Sequence, residues 1–394
     1  MKKGLFATTA IVAAAAAVSL APQNAAAQDD GGINLSVGGY YDFFYTLSDQ
    51  DEPADNETFT NDGGDFRSDR VRSEGEIHFS GDTTLDNGIQ VGINVQLEAE
   101  TSGDQIDEHY MFMEGSFGRV QVGAENSAPY LMHYAAPAEG ILVNSPDFRP
   151  FRTSGLGVFQ TSTYVVGSSD ANKLTYFTPR IAGIQLGGSY APDTEETSGA
   201  AQSTGLYADD AAGRAYGIGA NYVNSFNGFD VAVSGGYEMI ENEQGGDDRD
   251  DFSTGLNVGY GGFTVGGSYR YIDGASATAE TADVGSVRTL ASGLNIPANT
   301  EELSSEIEAQ IFDVGVSYNT GPWGVSLTWL RGETEFDGFG GAEDTHDSAI
   351  LGVNYALGTG INVVGNVHYI SLDAESTGYD GDGYAGSLGM MLSF

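Results

Sequence analysis

A strict alternation of apolar and polar side chains, repeated along the chain, constrains this sequence more than any other feature. In Ile89-Gln-Val91-Gly-Ile93-Asn-Val95-Gln-Leu97, every odd position is aliphatic and every even one is polar or Gly. Phe229-Asp-Val231-Ala-Val233, Phe263-Thr-Val265-Gly-Gly267-Ser-Tyr269-Arg-Tyr271 and Trp323-Gly-Val325-Ser-Leu327-Thr-Trp329 repeat the pattern. A two-residue period is a β-strand with one apolar and one polar face, whereas a helix would scatter these apolar residues round its axis. The polar faces are small and uncharged (Gly, Ser, Asn, Thr, Gln), as suits a crowded interior wall. The apolar faces end in aromatics, among them Tyr269, Tyr271, Tyr318, Trp329, Tyr355 and Tyr369, as membrane-interface girdles do.

Strand segments are expected at 33–47, 70–82, 89–100, 108–117, 119–126, 172–178, 183–191, 214–223, 229–240, 251–260, 263–272, 308–319, 323–333, 347–356, 361–372 and 384–394. That is about sixteen, the even count of a single-chain bacterial barrel. The links alternate in length. Thr83 to Gly88, Phe117-Gly118, Pro179 to Gly183, Asn224 to Gly228, Gly261-Gly262, Asn319 to Pro322 and Ala356 to Gly360 are short and carry turn residues. Between them lie long acidic segments at 48–69, 192–213, 241–250, 273–307, 334–346 and 373–383. Short turns on one side and long loops on the other imply an all-β transmembrane antiparallel barrel, with turns in the periplasm and loops outside. The last segment, Tyr384 to Phe394, must pair with the first so that no strand edge meets lipid.

Composition and the N-terminus agree. Lys2 and Lys3, the apolar Leu5 to Leu20 and the small residues Ala25-Ala26-Ala27 have the order of a secretory signal peptide. Residues 1–27 are therefore the expected leader and 28–394 a single barrel domain. Cys is absent, so stability does not come from disulfides. With 56 acidic against 15 basic residues, the formal net charge is −41. That excess argues against nucleic acid as a partner, because phosphate contacts need Lys and Arg, and makes cations the natural counter-species.

Specific motifs then resemble the general trimeric porins of Gram-negative outer membranes. Arg72-Ser-Glu-Gly-Glu-Ile-His-Phe-Ser-Gly81, Leu85-Asp-Asn-Gly88 and Val95-Gln-Leu-Glu98 are similar to that family's second strand, turn and third strand. Phe117-Gly-Arg-Val-Gln-Val-Gly123, Leu174-Thr-Tyr-Phe-Thr-Pro179 and Tyr190-Ala-Pro192 continue the likeness, and Phe394 matches its assembly signal. The resemblance implies a multi-pass outer-membrane protein surrounded by lipid and lipopolysaccharide. It also implies a homotrimer, passive passage of small hydrophilic solutes and ions, and a third external loop folded into the barrel. That loop is expected at about 127–169. Its Tyr130, Leu131, Tyr134, Ile141, Leu142, Phe148, Phe151, Leu156 and Phe159 independently favour packing inward over bathing in solvent.

In the family, loop acids face a basic cluster on the wall. The corresponding residues here are Glu139 and Asp147 against Arg70, Arg72, Arg119 and Arg270, with Lys173 also on inward parity. Arg149 and Arg152 on the loop and the non-basic Asp107 and Thr175 depart from the family pattern. Inward-parity Glu74, Glu76, Glu98, Glu100, Asp230, Glu238 and Asp313 tip the expected ion preference toward cations. A sugar-specific channel is the nearer rival, with Tyr130, Tyr134, Phe148 and Phe151 as its aromatic rungs. A barrel enzyme is the more distant one: of five His, His133 lies in the constriction loop and His346 at a loop end, and no nucleophile signature accompanies them. No cofactor is expected. Asp247, Asp248 and Asp250, and Asp380 with Asp382, are weak Ca²⁺ candidates in external loops, neither matching a complete calcium loop.

Overall fold

Alternation needs a closed partner ladder to survive in lipid, and the chain supplies one. The computed structural model describes residues 32–52, 66–99, 106–144, 150–153, 156–194, 212–243, 247–276, 306–336 and 341–394. The expected leader, most of 273–307, Glu100, Asp147, Phe148 and Arg149 lie outside these residues. The strands are β1 (Asn34–Gln50), β2 (Asp69–Thr84), β3 (Gln90–Glu98), β4 (Ile106–Gly115), β5 (Gly118–Ala124), β6 (Asn172–Phe177), β7 (Ile184–Ala191) and β8 (Ala212–Phe226). They continue as β9 (Phe229–Asn242), β10 (Arg249–Tyr260), β11 (Phe263–Ser276), β12 (Glu306–Thr320), β13 (Trp323–Phe336), β14 (Ala342–Gly358), β15 (Ile361–Ala374) and β16 (Tyr379–Ser393). A single helical turn, α1 (Ala128–Leu131), interrupts the series. Each strand pairs antiparallel with its sequence neighbours, and β1 pairs with β16 to close the barrel. At the seam, Gly39 and Phe394 exchange both backbone bonds at 3.0 Å.

No helix among the described residues is long and apolar enough to cross a membrane; the strands make the crossing. Their outward positions are exposed aliphatics and aromatics, such as Leu35, Val37 and Phe43 on β1 and Val325 and Leu327 on β13. Two aromatic belts bound this band. At the turn end, Phe229 packs on Tyr260, Phe263 on Tyr318 and Trp323 on Tyr355, with ring centroids 4.6, 4.3 and 4.5 Å apart. At the other end Tyr190–Tyr216, Phe312–Trp329 and Tyr369–Tyr384 do the same. Trp323 and Trp329 both sit on β13, one per belt, and the intervening strand spans about 20 Å at ~3.3 Å per residue. The turn-end links are tight. Asn227–Gly228 and Gly261–Gly262 hold φ of 52° and 83°, and of 59° and 89°, the two positive values that let a hairpin follow the strands' right-handed twist.

Three of the expected long loops are shorter than the sequence pattern implied, while most of 48–69 and of 192–213 lies outside the described residues. Segment 334–346 is mostly strand, because β13 runs to Phe336 and β14 starts at Ala342. Segment 373–383 reduces to a link of Glu375 to Gly378, and 241–250 to the residues between Asn242 and Arg249. The cause is length. A membrane crossing takes about 9–11 residues, whereas β1 and β14 have 17. Beyond the upper belt the outward face turns polar, as at Arg331, Glu333 and Glu335 of β13, so the ladder continues where the lipid-facing signal has ended.

The chain contains no Cys, so single introduced thiols report topology cleanly. A bulky maleimide too large for the lumen should label Glu375→Cys on intact cells, and Thr359→Cys only after the outer membrane is permeabilised. Labelling of Thr359→Cys from outside would reverse the orientation.

Candidate constriction and lumen

Between β5 and β6 the chain turns inward and lines the wall in two passes. The first starts at α1. There Ala128 donates to Ser189 Oγ of β7 at 2.8 Å, and Met132 accepts from Asn221 Nδ2 of β8 at 3.3 Å. It continues with Tyr134 N on Ser234 Oγ of β9 (3.0 Å), and Asn257 Nδ2 of β10 on the Ala135 carbonyl (3.0 Å). Glu139 N then reaches Ser326 Oγ of β13 (2.8 Å), and Ile141 N reaches Asn366 Oδ1 of β15 (3.3 Å). The small polar residues of the inward faces therefore act as hydrogen-bond partners for a peptide backbone laid across them. That backbone comes so close that side chains are excluded beneath it. A Cβ on Gly255 would overlap the Tyr134 carbonyl oxygen, and one on Gly352 the Glu139 carbonyl oxygen.

The return pass lies one tier higher, over an apolar row. Ile141, Val143 and Val158 of the loop share a buried cluster with Ile272, Ile311, Leu330, Ile350 and Val364, all on inward parity. Phe151, Leu156 and Phe159 do the same with Ile370 and Leu372. These aliphatics on otherwise polar faces are a sequence signal that parity could have exposed and that marks where the loop packs.

Acids anchor the irregular backbone. Asp313 accepts from Ala136 N at 3.2 Å, from Thr163 Oγ1 at 3.2 Å and from Asn144 Nδ2. Glu238 accepts from Ser168 N (2.9 Å) and Oγ (2.7 Å), and Asp344 from Val158 N (2.8 Å) and Ser376. Buried peptide N–H groups need acceptors, and here carboxylates supply them. Glu238 and Asp313, expected as open vestibule charges, are thus covered by the loop. Lys173 is enclosed in the same way, its Nζ donating to the carbonyls of Glu125, Ser169 and Ala171.

Among the described residues, the expected constriction residues do not come together. Arg270 is 1 % exposed and donates Nε and Nη2, one edge of its guanidinium, to the two Asp251 carboxylate oxygens at 2.9 and 2.6 Å, with Nη1 on the Ser162 carbonyl. It therefore clamps the loop rather than facing the lumen. Arg119 stands at the turn end of β5, over the Phe112 ring at 4.1 Å and 3.2 Å from Glu114. Glu139 reaches toward the same end on the opposite wall, where Asn319 Nδ2 donates to it at 2.7 Å. Arg70 and Arg72 lie near the outer end of β2, opposite Thr46 and Phe44 of β1. Of the Ca²⁺ candidates, Asp250 accepts the Tyr237 hydroxyl, Asp248 accepts Asn242 N at 3.0 Å and Asp382 accepts the Tyr369 hydroxyl at 2.9 Å.

Burial locates the open lumen. Inward side chains under the loop are sealed, as with Asn257 at 2 % and Thr328 at 1 %. Those on β2 and β3, namely Arg72, Glu74, Glu76, His78, Asn94 and Gln96, stay half-exposed. The loop lies on the wall from β7 round to β16, so the water path follows the β2–β4 sector. Opposite it the loop presents Tyr130, Leu131 and Tyr134, all partly exposed.

A family profile of Gram-negative porins matches residues 7–375. Comparison with curated proteins returns no match. Among solved structures, the fold is similar to a porin refined at 1.8 Å, with 16 % identity, a TM-score of 0.55, and 92 % of this chain and 100 % of that one covered. The outer membrane channel DcaP of Acinetobacter baumannii is 13 % identical at a TM-score of 0.59, covering 94 % and 100 %. OmpT, an outer membrane protein of Vibrio cholerae solved in a trimer form, is 12 % identical at 0.54, covering 91 % and 99 %.

Two outcomes follow from the loop's seat. Gly255→Leu or Gly352→Leu should push the first pass off the wall, at a cost of about 1–3 kcal/mol for overpacking, and change single-channel conductance. Gly235→Leu, at a site with open space around it, should not. His133 packs edge-on against Tyr164 with centroids 4.7 Å apart, and its Nδ1 meets no hydrogen-bond partner. Burial, then the Arg270 charge, lowers its pKa from 6.5 to about 3, so the loop holds it neutral. The unfolded chain binds this proton first. The stability His133 confers is therefore complete above 6.5 and is lost as pH falls toward 3. The thermal unfolding temperature of the detergent-solubilised protein should fall between pH 6.5 and 5, and His133→Gln should flatten that slope.

Proposed function

The chain belongs to the Gram-negative porins, and from that membership we propose a water-filled channel for passive diffusion of small hydrophilic solutes, with a moderate preference for cations. The observation that carries the ionic part is the open β2–β4 sector. Along β2 it runs from Arg70 and Arg72 through Glu74 and Glu76 to His78, with Glu98 on β3 adding to the acidic side. The charge balance there is acidic even with both arginines counted. At ~0.1 M salt the Debye length is about 10 Å, so these charges act on an ion passing beside them. Buried Arg270 is neutralised by Asp251 and contributes little to that field. No catalytic role is proposed. Since one structurally similar protein was solved as a trimer, this chain is also proposed to act as a homotrimer.

Reversal potential across a planar bilayer under a salt gradient tests the reading. Cation-selective sign is expected at neutral pH, weakening as salt rises. Glu74→Gln with Glu76→Gln should reduce it more than Glu139→Gln, whose carboxylate is already held by Asn319. Arg70→Gln with Arg72→Gln should increase it. An anion-selective sign at low salt would show that the arginines dominate.

A further inference from the structure

Three carboxylates converge where the constriction loop leaves the wall. Glu76 on β2 and Asp107 and Glu108 on β4 each bring an oxygen within 4.8 Å of the others. The spacing comes from β4's irregular start: the ladder shifts between Val95 and Leu97 of β3, so the neighbours Asp107 and Glu108 both reach this place. Glu108 is only 8 % exposed. Its Oε1 takes Asn126 Nδ2 at 3.4 Å, and its Oε2 is buried with no hydrogen-bond partner. The hydrogen-bond donors of Lys173 do not reach it, because its Nζ is taken up by main-chain carbonyls. Burying an unpaired carboxylate oxygen is expensive, and here two further acids surround it.

An all-oxygen, all-anionic donor set suits a hard cation. Two ligands on opposite sides of Ca²⁺ stand about 4.8 Å apart, twice a ~2.4 Å bond, so these oxygens can share one ion without moving strands. Glu76 is half-exposed to the lumen, which gives an ion and its remaining waters a way in. We propose that Glu76, Asp107 and Glu108 form a Ca²⁺ site at the root of the constriction loop. The ion ties β2 to β4 and, through Glu108, holds Asn126 where the loop departs. It also masks part of the negative charge of the open sector, so bound Ca²⁺ sets how cation-selective the channel is. The site itself stands whichever ion the channel prefers.

Tyr40 donates to Glu76 at 2.9 Å, close enough to sensitise a lanthanide bound there. Full-length protein in detergent, stripped with EDTA, is titrated with Tb³⁺ under tyrosine excitation and then with Ca²⁺. A saturable emission phase displaced by Ca²⁺ is expected. Glu108→Gln or Asp107→Asn should weaken it by at least about tenfold, the loss that even supporting groups of metal sites produce. Asp380→Asn with Asp382→Asn should leave it in place, which separates the site from acidic external loops. Glu76→Gln, on the lumen side of the cluster, serves as the variant that folds if the change at buried Glu108 does not. Absence of a Ca²⁺-displaced phase in the wild type, or its survival in every folded cluster variant, would overturn the proposal.

Discussion

In hydrocarbon an unpaired peptide N–H or C=O has no water to turn to, and each costs several kcal/mol. That constraint admits a sheet only if its two edges meet. Here they meet at Gly39 and Phe394 and along the β1–β16 ladder. Closure with sixteen strands solves the lipid side and creates a second problem inside, because a ring this wide cannot be filled by side chains pointing inward. The inner wall therefore needs a further layer. The segment between β5 and β6 supplies it, as backbone hydrogen-bonded to Ser and Asn side chains below and as aliphatic side chains packed on an aliphatic row above. The barrel is a sheet on one face and a platform for a loop on the other.

The platform accounts for the division of the lumen. A backbone lies flat only where the wall offers no Cβ or a short polar side chain, and β7 to β14 offer Gly219, Gly255, Gly315 and Gly352 together with Ser234 and Ser326. Inward positions of β2 instead carry Arg72, Glu74 and Glu76, which are long, charged and hydrated, and the polar His78. A loop pressed against them would have to desolvate several charges at once. Water keeps that sector and the loop takes the rest.

Much of this was legible in the sequence. The two-residue period gave strand count and closure, because burial against lipid enforces it at every position of the crossing. It under-read strand ends such as Glu333 to Phe336, where the outward Glu333 and Glu335 meet water instead of lipid and the apolar outward face is no longer required, although Thr334 and Phe336 are sealed inside. The inward loop was legible from its own Phe151, Leu156 and Phe159. Its landing row of Ile311, Leu330 and Ile350 was in plain view on inward parity. The roles of the charges were not legible. Arg270 and Arg72 have the same parity on their strands, yet one is sealed against Asp251 and the other faces water. What decides between them is the loop overhead, more than a hundred residues away in sequence from Arg270.

The same loop limits what net charge says about a channel. A carboxylate that accepts several N–H or O–H groups is well matched to a buried irregular backbone, since charge-assisted bonds are roughly twice as strong as neutral ones. Asp313, Glu238 and Asp344 are used in this way, each gathering two or more donors. Their negative ends point into peptide dipoles rather than into the water path, and Asp251 is matched by two arginines. An excess of acid of this size is therefore partly a device for holding the loop. Among the described residues, the acids of the β2–β4 sector and of the two rims remain to act on a passing ion. The ion preference of the channel accordingly follows from which carboxylates the loop covers, and not from the formal charge of the chain.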